Sequence, residues 1–303
     1  MKNKIKNKRL ERPAIKMKWQ KELIAILLLC PVLASMVLFK YFPILLGFFE
    51  SFFKMNVTSL PGKFVGFDNY IRAFSDKNFL MSFGHNAKMF AYSMVMNFWV
   101  PIVLAMLIDE TRKGRTFFRL VYFIPACTPA IAMTVLWKYF WQPDYGLANY
   151  FMKLMHLPEQ LWLNSESLVY FCMYFPGLII SGGMNMVIYL AALQDVPGEL
   201  YEAALIDGAG IRQRIRYVTI PGIKHIVMLM LTLTIIGSFN IMENVLLLTG
   251  GGPSNSTQTM LLYAYQQATN SMDYSYAITM IGIVFIATMI LTIVFNKITT
   301  EKE

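Results

Sequence analysis

The sequence predicts an all-α, polytopic membrane protein with six transmembrane helices. Three observations carry this expectation: the composition, six long apolar runs, and the places where charge is bunched. Of 303 residues, 56% are hydrophobic and only 15% are charged, against about 25% charged in a typical soluble domain. So little polar surface cannot cover a water-facing globule, which argues against a soluble enzyme. The same numbers exclude a disordered chain, a collagen-like chain and a disulfide scaffold.

The runs at residues 23–49, 89–108, 120–137, 168–193, 226–248 and 277–295 can each cross a hydrocarbon core of about 30 Å at about 1.5 Å per residue. The first is interrupted by Lys40 and Pro43, so its core is residues 23–39. Backbone groups in lipid must be satisfied within the segment, and none of these runs alternates as barrel strands do; they are expected to be helices.

The formal net charge is +9. Residues 1–22 hold nine Lys/Arg against Glu11 and Glu22, a net +7 in the tail alone. Basic residues beside an apolar run mark cytoplasmic retention, and no basic face remains for nucleic acid. Lys/Arg then cluster at Arg112–Arg119, Arg212–Lys224 and Lys297–Lys302, whereas residues 249–276 carry none. An even number of spans follows, with both termini cytoplasmic. The chain divides into a basic cytoplasmic tail (1–22) and a six-helix membrane domain (23–303). Cys30, Cys127 and Cys172 all lie in apolar runs without metal-ligand spacing, and read as small buried hydrophobes.

The loop at residues 194–222, between spans four and five, is the informative one. Glu202, Ala203 and Ala204 favour helix, after a turn at Pro197-Gly198, and Gly208 and Gly210 permit a sharp bend. A second short stretch with Arg212, Arg214 and Arg216 ends at Pro221. Two short helices meeting at a glycine bend make a compact knob suited to docking in another protein's groove.

Glu202-Ala203-Ala204, then Gly208, then Val218-Thr219-Ile220-Pro221 resembles the "EAA" signature of membrane subunits in binding-protein-dependent ABC importers, with Val and Ile as aliphatic replacements. Other strings resemble the sugar-type branch: Phe64–Tyr70, Phe123–Ala126, Trp137 with Pro143–Asn149, Tyr189–Gln194, and Leu247–Pro253. The resemblance covers essentially everything after the tail. It implies a type I ABC importer permease fold in a bacterial-type plasma membrane and a role in carbohydrate import, of the maltose or oligosaccharide type. The implied partners are a second homologous permease, two ABC ATPase subunits, an extracellular solute-binding protein, the carbohydrate and the bilayer. Glu202, Ala203, Ala204, Asp207, Gly208, Val218, Ile220 and Pro221 would then form the loop that couples to the ATPase.

No Walker A stretch is present, so the expectation is that this chain binds no cofactor, with ATP and Mg²⁺ used by the partner ATPase subunits. No catalytic or metal site is expected; His85, His156 and His225 are scattered. Ser181-Gly182-Gly183 lies mid-span and reads as helix packing through small residues. Intramembrane polar residues need a reason. Asn240 and Glu243 are three apart and are expected to share a helix face; with Asn185 and Trp137 they are the candidates for a solute pathway. An interhelical hydrogen bond or a partner contact is the alternative for the polar residues, and an interfacial aromatic belt for Trp137. The rival functions are an ABC permease for a non-sugar solute and, from another class, a polytopic membrane enzyme. The latter would need an acidic pair or a Ser/His arrangement, and Asp144, Asp195 and Asp207 are isolated from one another.

Overall fold

The structure, a computed structural model, describes residues 15–56, 59–111 and 113–300; most of the basic tail therefore lies outside the described residues. The chain divides into two units, Met1–Glu50 and Ser51–Glu303. In the first, the helix Ile15–Met36 continues through a wider turn, Val37–Tyr41, into Phe42–Glu50. Its stretch Glu22–Glu50 is long and apolar enough to cross a membrane, and every side chain from Glu22 to Leu46 is exposed. Cys30 is among them, and Cys127 is exposed too, so only Cys172 meets the expectation of burial. On a lipid-facing helix an exposed thiol is in apolar surroundings without being inside the protein.

The second unit opens with an antiparallel hairpin, Phe53–Asn56 against Ser59–Phe64, a small addition to an otherwise helical chain. Asn69 anchors it, its Nδ2 donating to the carbonyls of Ser51 (2.9 Å) and Phe53 (3.1 Å). The membrane helices follow. Among the described residues, Lys77–Glu110 and Tyr274–Lys297 each suffice to cross a membrane, and with Glu22–Glu50 they make three; counting each of three bent helix pairs as one span brings the number to as many as six.

Two of the expected spans are interrupted. The third was expected as one helix over residues 120–137. Instead, Arg115–Phe123 leads through a 3₁₀ turn, Ile124–Cys127, to Ala130–Phe140, with a bend of 95°. Proline is the cause: Thr128, which precedes Pro129, is extended (φ −80°, ψ 140°), the conformation a following proline imposes. The fifth, expected over residues 226–248, ends as a helix at Phe239 and resumes as Glu243–Leu248. Its start also turns, by 71° from Ile211–Gly222. The fourth, Val169–Gln194, is one helix that bends by 51° between Ile179 and Gly182.

A broken helix at membrane depth leaves carbonyls that need donors. Asn86, fully buried in the second span, supplies one at the fifth-span break. Its Nδ2 donates to the Ser238 carbonyl at 2.9 Å and reaches that of Phe239 at 3.5 Å. Its Oδ1 accepts from the Met260 N–H at 3.1 Å, tying in the helix Met260–Thr269. One side chain thus joins three segments.

At the start of the second span, Asp76 caps the helix by accepting from the N–H groups of Asn78 and Phe79. It also accepts from the hydroxyls of Tyr263 and Tyr276, both at 2.7 Å. Burial alone pushes its carboxyl up, but these hydrogen bonds together outweigh burial and hold it below the ordinary 3.8. Its stabilising contribution is therefore complete above that ordinary value and is lost only as pH falls through the lowered one.

Replacing Asn86 with Leu leaves three buried backbone groups short of a partner. The expected cost is about 3 kcal/mol, at about 1–3 kcal/mol for each unsatisfied group, seen as a lowered Tm of the purified protein in detergent. An unchanged Tm would show that Asn86 does not hold the break.

Candidate functional site

Two features stand out: the knob at residues 198–222 and a cavity within the bundle. The knob begins where expected. Pro197 turns the chain (φ −58°, ψ 128°) into the helix Gly198–Ile206. That helix closes with a pair of hydrogen bonds, Ala209 N–H to Ala204 O at 2.9 Å and Gly208 N–H to Leu205 O at 3.1 Å, the Schellman arrangement. It requires a left-handed residue, and Gly208 has φ +74°. The second piece starts at Gly210, whose N–H donates to Gln213 Oε1 at 2.9 Å. It runs through Ile211–Arg214, a wider turn Ile215–Thr219, and Ile220–Gly222.

Glu202, Ala203, Asp207, Gly208, Ile220 and Pro221 are exposed, and Ala204 and Val218 are half-buried. Ile206, at the tip, is 87% exposed, and Leu205 is exposed beside it. The tip thus offers an uncovered aliphatic patch flanked by two carboxylates. The base, by contrast, is fixed. The Tyr201 hydroxyl donates to Thr219 Oγ1 at 3.1 Å, while Tyr201 and Val218 pack on the apolar cluster that contains Val196 and Ile223. A Cβ on Gly222 would lie 2.8 Å from a Val196 methyl. The chain entering the knob and the chain leaving it therefore touch, through a glycine that leaves room for the Val196 methyls.

The cavity has a volume of about 470 Å³ and is lined by spans two to five. Its polar groups include Asn97, Thr134, Asn185, Thr234, Ser238 and Asn244. Trp137 forms part of the wall, its ring wedged against Phe140 and Phe175 at 4.9 and 5.6 Å between centroids. Of the four pathway candidates, Asn185 and Trp137 reach the cavity. Asn240 and Glu243 do not line it and do not share a helix face, because Asn240 caps one helix and Glu243 starts the next. The break changes the phase of the helix, so the neighbouring Asn244 faces inward instead; its Oδ1 accepts from Thr134 Oγ1 at 3.1 Å.

Close packing makes the cavity walls. A Cβ on Gly183 would lie 1.9 Å from the Tyr122 carbonyl oxygen, at the third-span break. One on Gly177 would lie 2.3 Å from Asn97 Oδ1. The small-residue reading of the Gly182-Gly183 pair thus holds for Gly183, which lets span four touch the bent third span.

A bundle of bent spans around a polar cavity, with a knob projecting from one end, is the architecture of a membrane transport subunit. The profile of the family described as "Binding-protein-dependent transport system inner membrane component" matches residues 97–300, and the chain belongs to that family. It is 32% identical to an arabinooligosaccharide transport permease of Bacillus subtilis, covering 84% of this chain and 82% of the relative. It is 28% identical to a trehalose/maltose transport permease of Thermococcus litoralis, over 93% and 96%. Among solved structures, a subunit of a bacterial ABC transporter for the acidic polysaccharide alginate superposes with a TM-score of 0.84. That match covers 95% of this chain and 98% of the other, at 20% identity. The fold is that of a type I importer permease.

The Gly183 contact yields a paired expectation. Gly183→Ala forces spans three and four apart and costs about 1–3 kcal/mol, lowering the amount of monodisperse protein recovered in detergent. Gly182→Ala, whose Cβ finds only a carbonyl at 3.5 Å, leaves recovery unchanged. Equal recovery of both variants would contradict the packing described.

Proposed function

We propose that this chain is one of two permease subunits of an ABC importer that takes up a carbohydrate, in particular an oligosaccharide, delivered by an extracellular binding protein. The carbohydrate class is supported by the relatives named for trehalose/maltose and arabinooligosaccharides, which align over most of their length. A polar cavity of this size with a tryptophan in its wall suits a hydroxyl-rich solute, for which a few placed polar groups and an apolar wall give orientation.

One observation carries the mechanism: the knob is exposed at its tip and locked at its base. Glu202, Ala203, Ile206 and Asp207 are free to enter a groove, whereas the base touches spans four and five at Val196 and Gly222. In this reading two ATPase subunits bind ATP and Mg²⁺, and this chain binds neither. Closure of the ATPase pair pushes one knob on each permease. The push passes through the locked base to spans four and five, whose Asn185 and Thr234 line the cavity. The cavity then opens alternately to the two sides of the membrane while this chain makes and breaks no covalent bond. The knob is cytoplasmic, as are both termini and the tail at residues 1–22; the Lys/Arg bias supports this orientation.

The test uses the reconstituted complex with its binding protein. Glu202→Lys reverses a charge at the tip, and Gly208→Val forbids the left-handed turn at φ +74°. Both variants should insert and assemble, yet lose about tenfold or more of sugar uptake per ATP hydrolysed, equivalent to about 1.4 kcal/mol of lost coupling. Normal uptake by both would sink the proposal.

A further inference from the structure

The segment between spans three and four carries a helix, Leu147–Leu154, that the transport cycle described above does not use. Leu147, Tyr150, Phe151, Leu154 and Met155 are all exposed. These positions follow the i, i+3, i+4, i+7, i+8 pattern, which at 100° per residue is one continuous apolar stripe. The opposite side is the buried one, and it is partly polar. Ala148 packs with Trp141 and Cys172. Asn149, 3% exposed, donates to the carbonyls of Pro143 and Gln160 and accepts from the Trp162 indole N–H at 2.7 Å. The helix therefore turns Ala148, Asn149 and the half-buried Met152 inward and leaves its larger apolar stripe uncovered, the reverse of a water-facing helix.

We propose that Leu147–Leu154 is a membrane-surface anchor, lying in the lipid interface at the end of the bundle opposite the knob, with lipid as the occupant of its apolar stripe. Three observations on this segment point to lipid. At eight residues the helix is too short to cross a bilayer, which takes about 20 residues. It is also pinned at the level where spans end: a Cβ on Gly146 would meet the Gln142 and Phe140 carbonyls at 2.2 and 2.6 Å, so the helix starts against the last turn of Ala130–Phe140. Finally, the stripe continues the exposed apolar surface of that span. Leu136 and Tyr139 are exposed on it, the Tyr139 ring meets Tyr145 at 6.4 Å, and Leu147 follows.

The residues suit this position. Tyrosines at 139, 145 and 150 place amphipathic rings at headgroup depth, while Leu, Phe and Met reach the acyl boundary. The charged Lys153, paired with Glu159 at 3.2 Å, sits off the stripe. The consequence is mechanical: the far half of the bent third span, which carries Thr134 and Trp137 of the cavity wall, is tied to the bilayer surface rather than left to move freely.

The test places nitroxide labels, one at a time, at Leu147→Cys, Tyr150→Cys, Phe151→Cys and Leu154→Cys, with Asp144→Cys and Lys153→Cys as off-stripe controls. The background lacks the native cysteines, and the assembled transporter is reconstituted in phosphatidylcholine vesicles. Collision with oxygen, which partitions into lipid, is compared with collision with a water-soluble nickel chelate. Oxygen should dominate at the four stripe positions and nickel at the two controls. Dominance of nickel on the stripe would overturn the proposal by placing it in water. Exclusion of both reagents would overturn it by showing that a protein covers the stripe, and repeating the measurement without the binding protein would tell whether that cover is the binding protein or a permanent subunit.

Discussion

The contact between Val196 and Gly222 is the constraint on which the arrangement of the bundle rests. It brings the end of span four against the start of span five, directly above an apolar cluster that includes Leu193, Ile223 and Ile108. Because the two spans converge there, the residues between them have no course except outward, and they form the knob. Hydrogen bonds within the knob then shape its tip, while the cluster beneath holds its base. With the Val196 methyls in place, a side chain at residue 222 would press against them at 2.8 Å and push the two spans apart. In the proposed mechanism, rigidity at this point carries a push on the knob into the interior of the bundle.

The cavity depends on a second constraint, the demand that broken helices satisfy their backbone groups without water. Unbroken spans would pack closely and leave little space. Here the third span turns at Pro129 and the fifth stops at Phe239, and space opens between the pieces. Each break is held from elsewhere: Asn86 donates to the carbonyls at the end of Lys224–Phe239, and Gly183 admits the Tyr122 carbonyl close to span four. The Lys138 ammonium donates to the Leu247 carbonyl at 2.9 Å, placing a cation at the end of Glu243–Leu248. These partners keep the breaks in place, so the cavity is part of the fold rather than a packing defect.

Much of this was legible in the sequence because it is local. The apolar runs count the spans, and Pro197, Gly208 and Pro221 mark the start, bend and end of the knob within a single loop. The interruptions were less legible. Pro125 and Pro129 did signal the third-span break, but the apolar run continues across them, and a hydropathy window registers no change. The fifth-span break has no comparable mark, since the residue that stabilises it, Asn86, lies 152 positions from Ser238. The cavity suffered accordingly: Asn185 and Trp137 face it, but assuming one continuous helix selected Asn240 and Glu243 and passed over Asn244. The contact of Val196 with Gly222 was invisible as well, because a glycine's close approach has no signature in a single sequence.

If the knob transmits motion as proposed, its base stays closed throughout the cycle. A Cβ at residue 222 would lie 3.6 Å from that of Val196, within the range of about 3.5–4.5 Å that a disulfide needs. The most direct measurement is therefore sugar uptake by the reconstituted complex carrying Val196→Cys and Gly222→Cys, with the native cysteines replaced, before and after oxidation. The proposed coupling requires equal uptake in the oxidised and reduced states, because the bond would join two groups that never part. Loss of uptake on oxidation, restored by a reductant, would show that the base opens in each cycle and would contradict it.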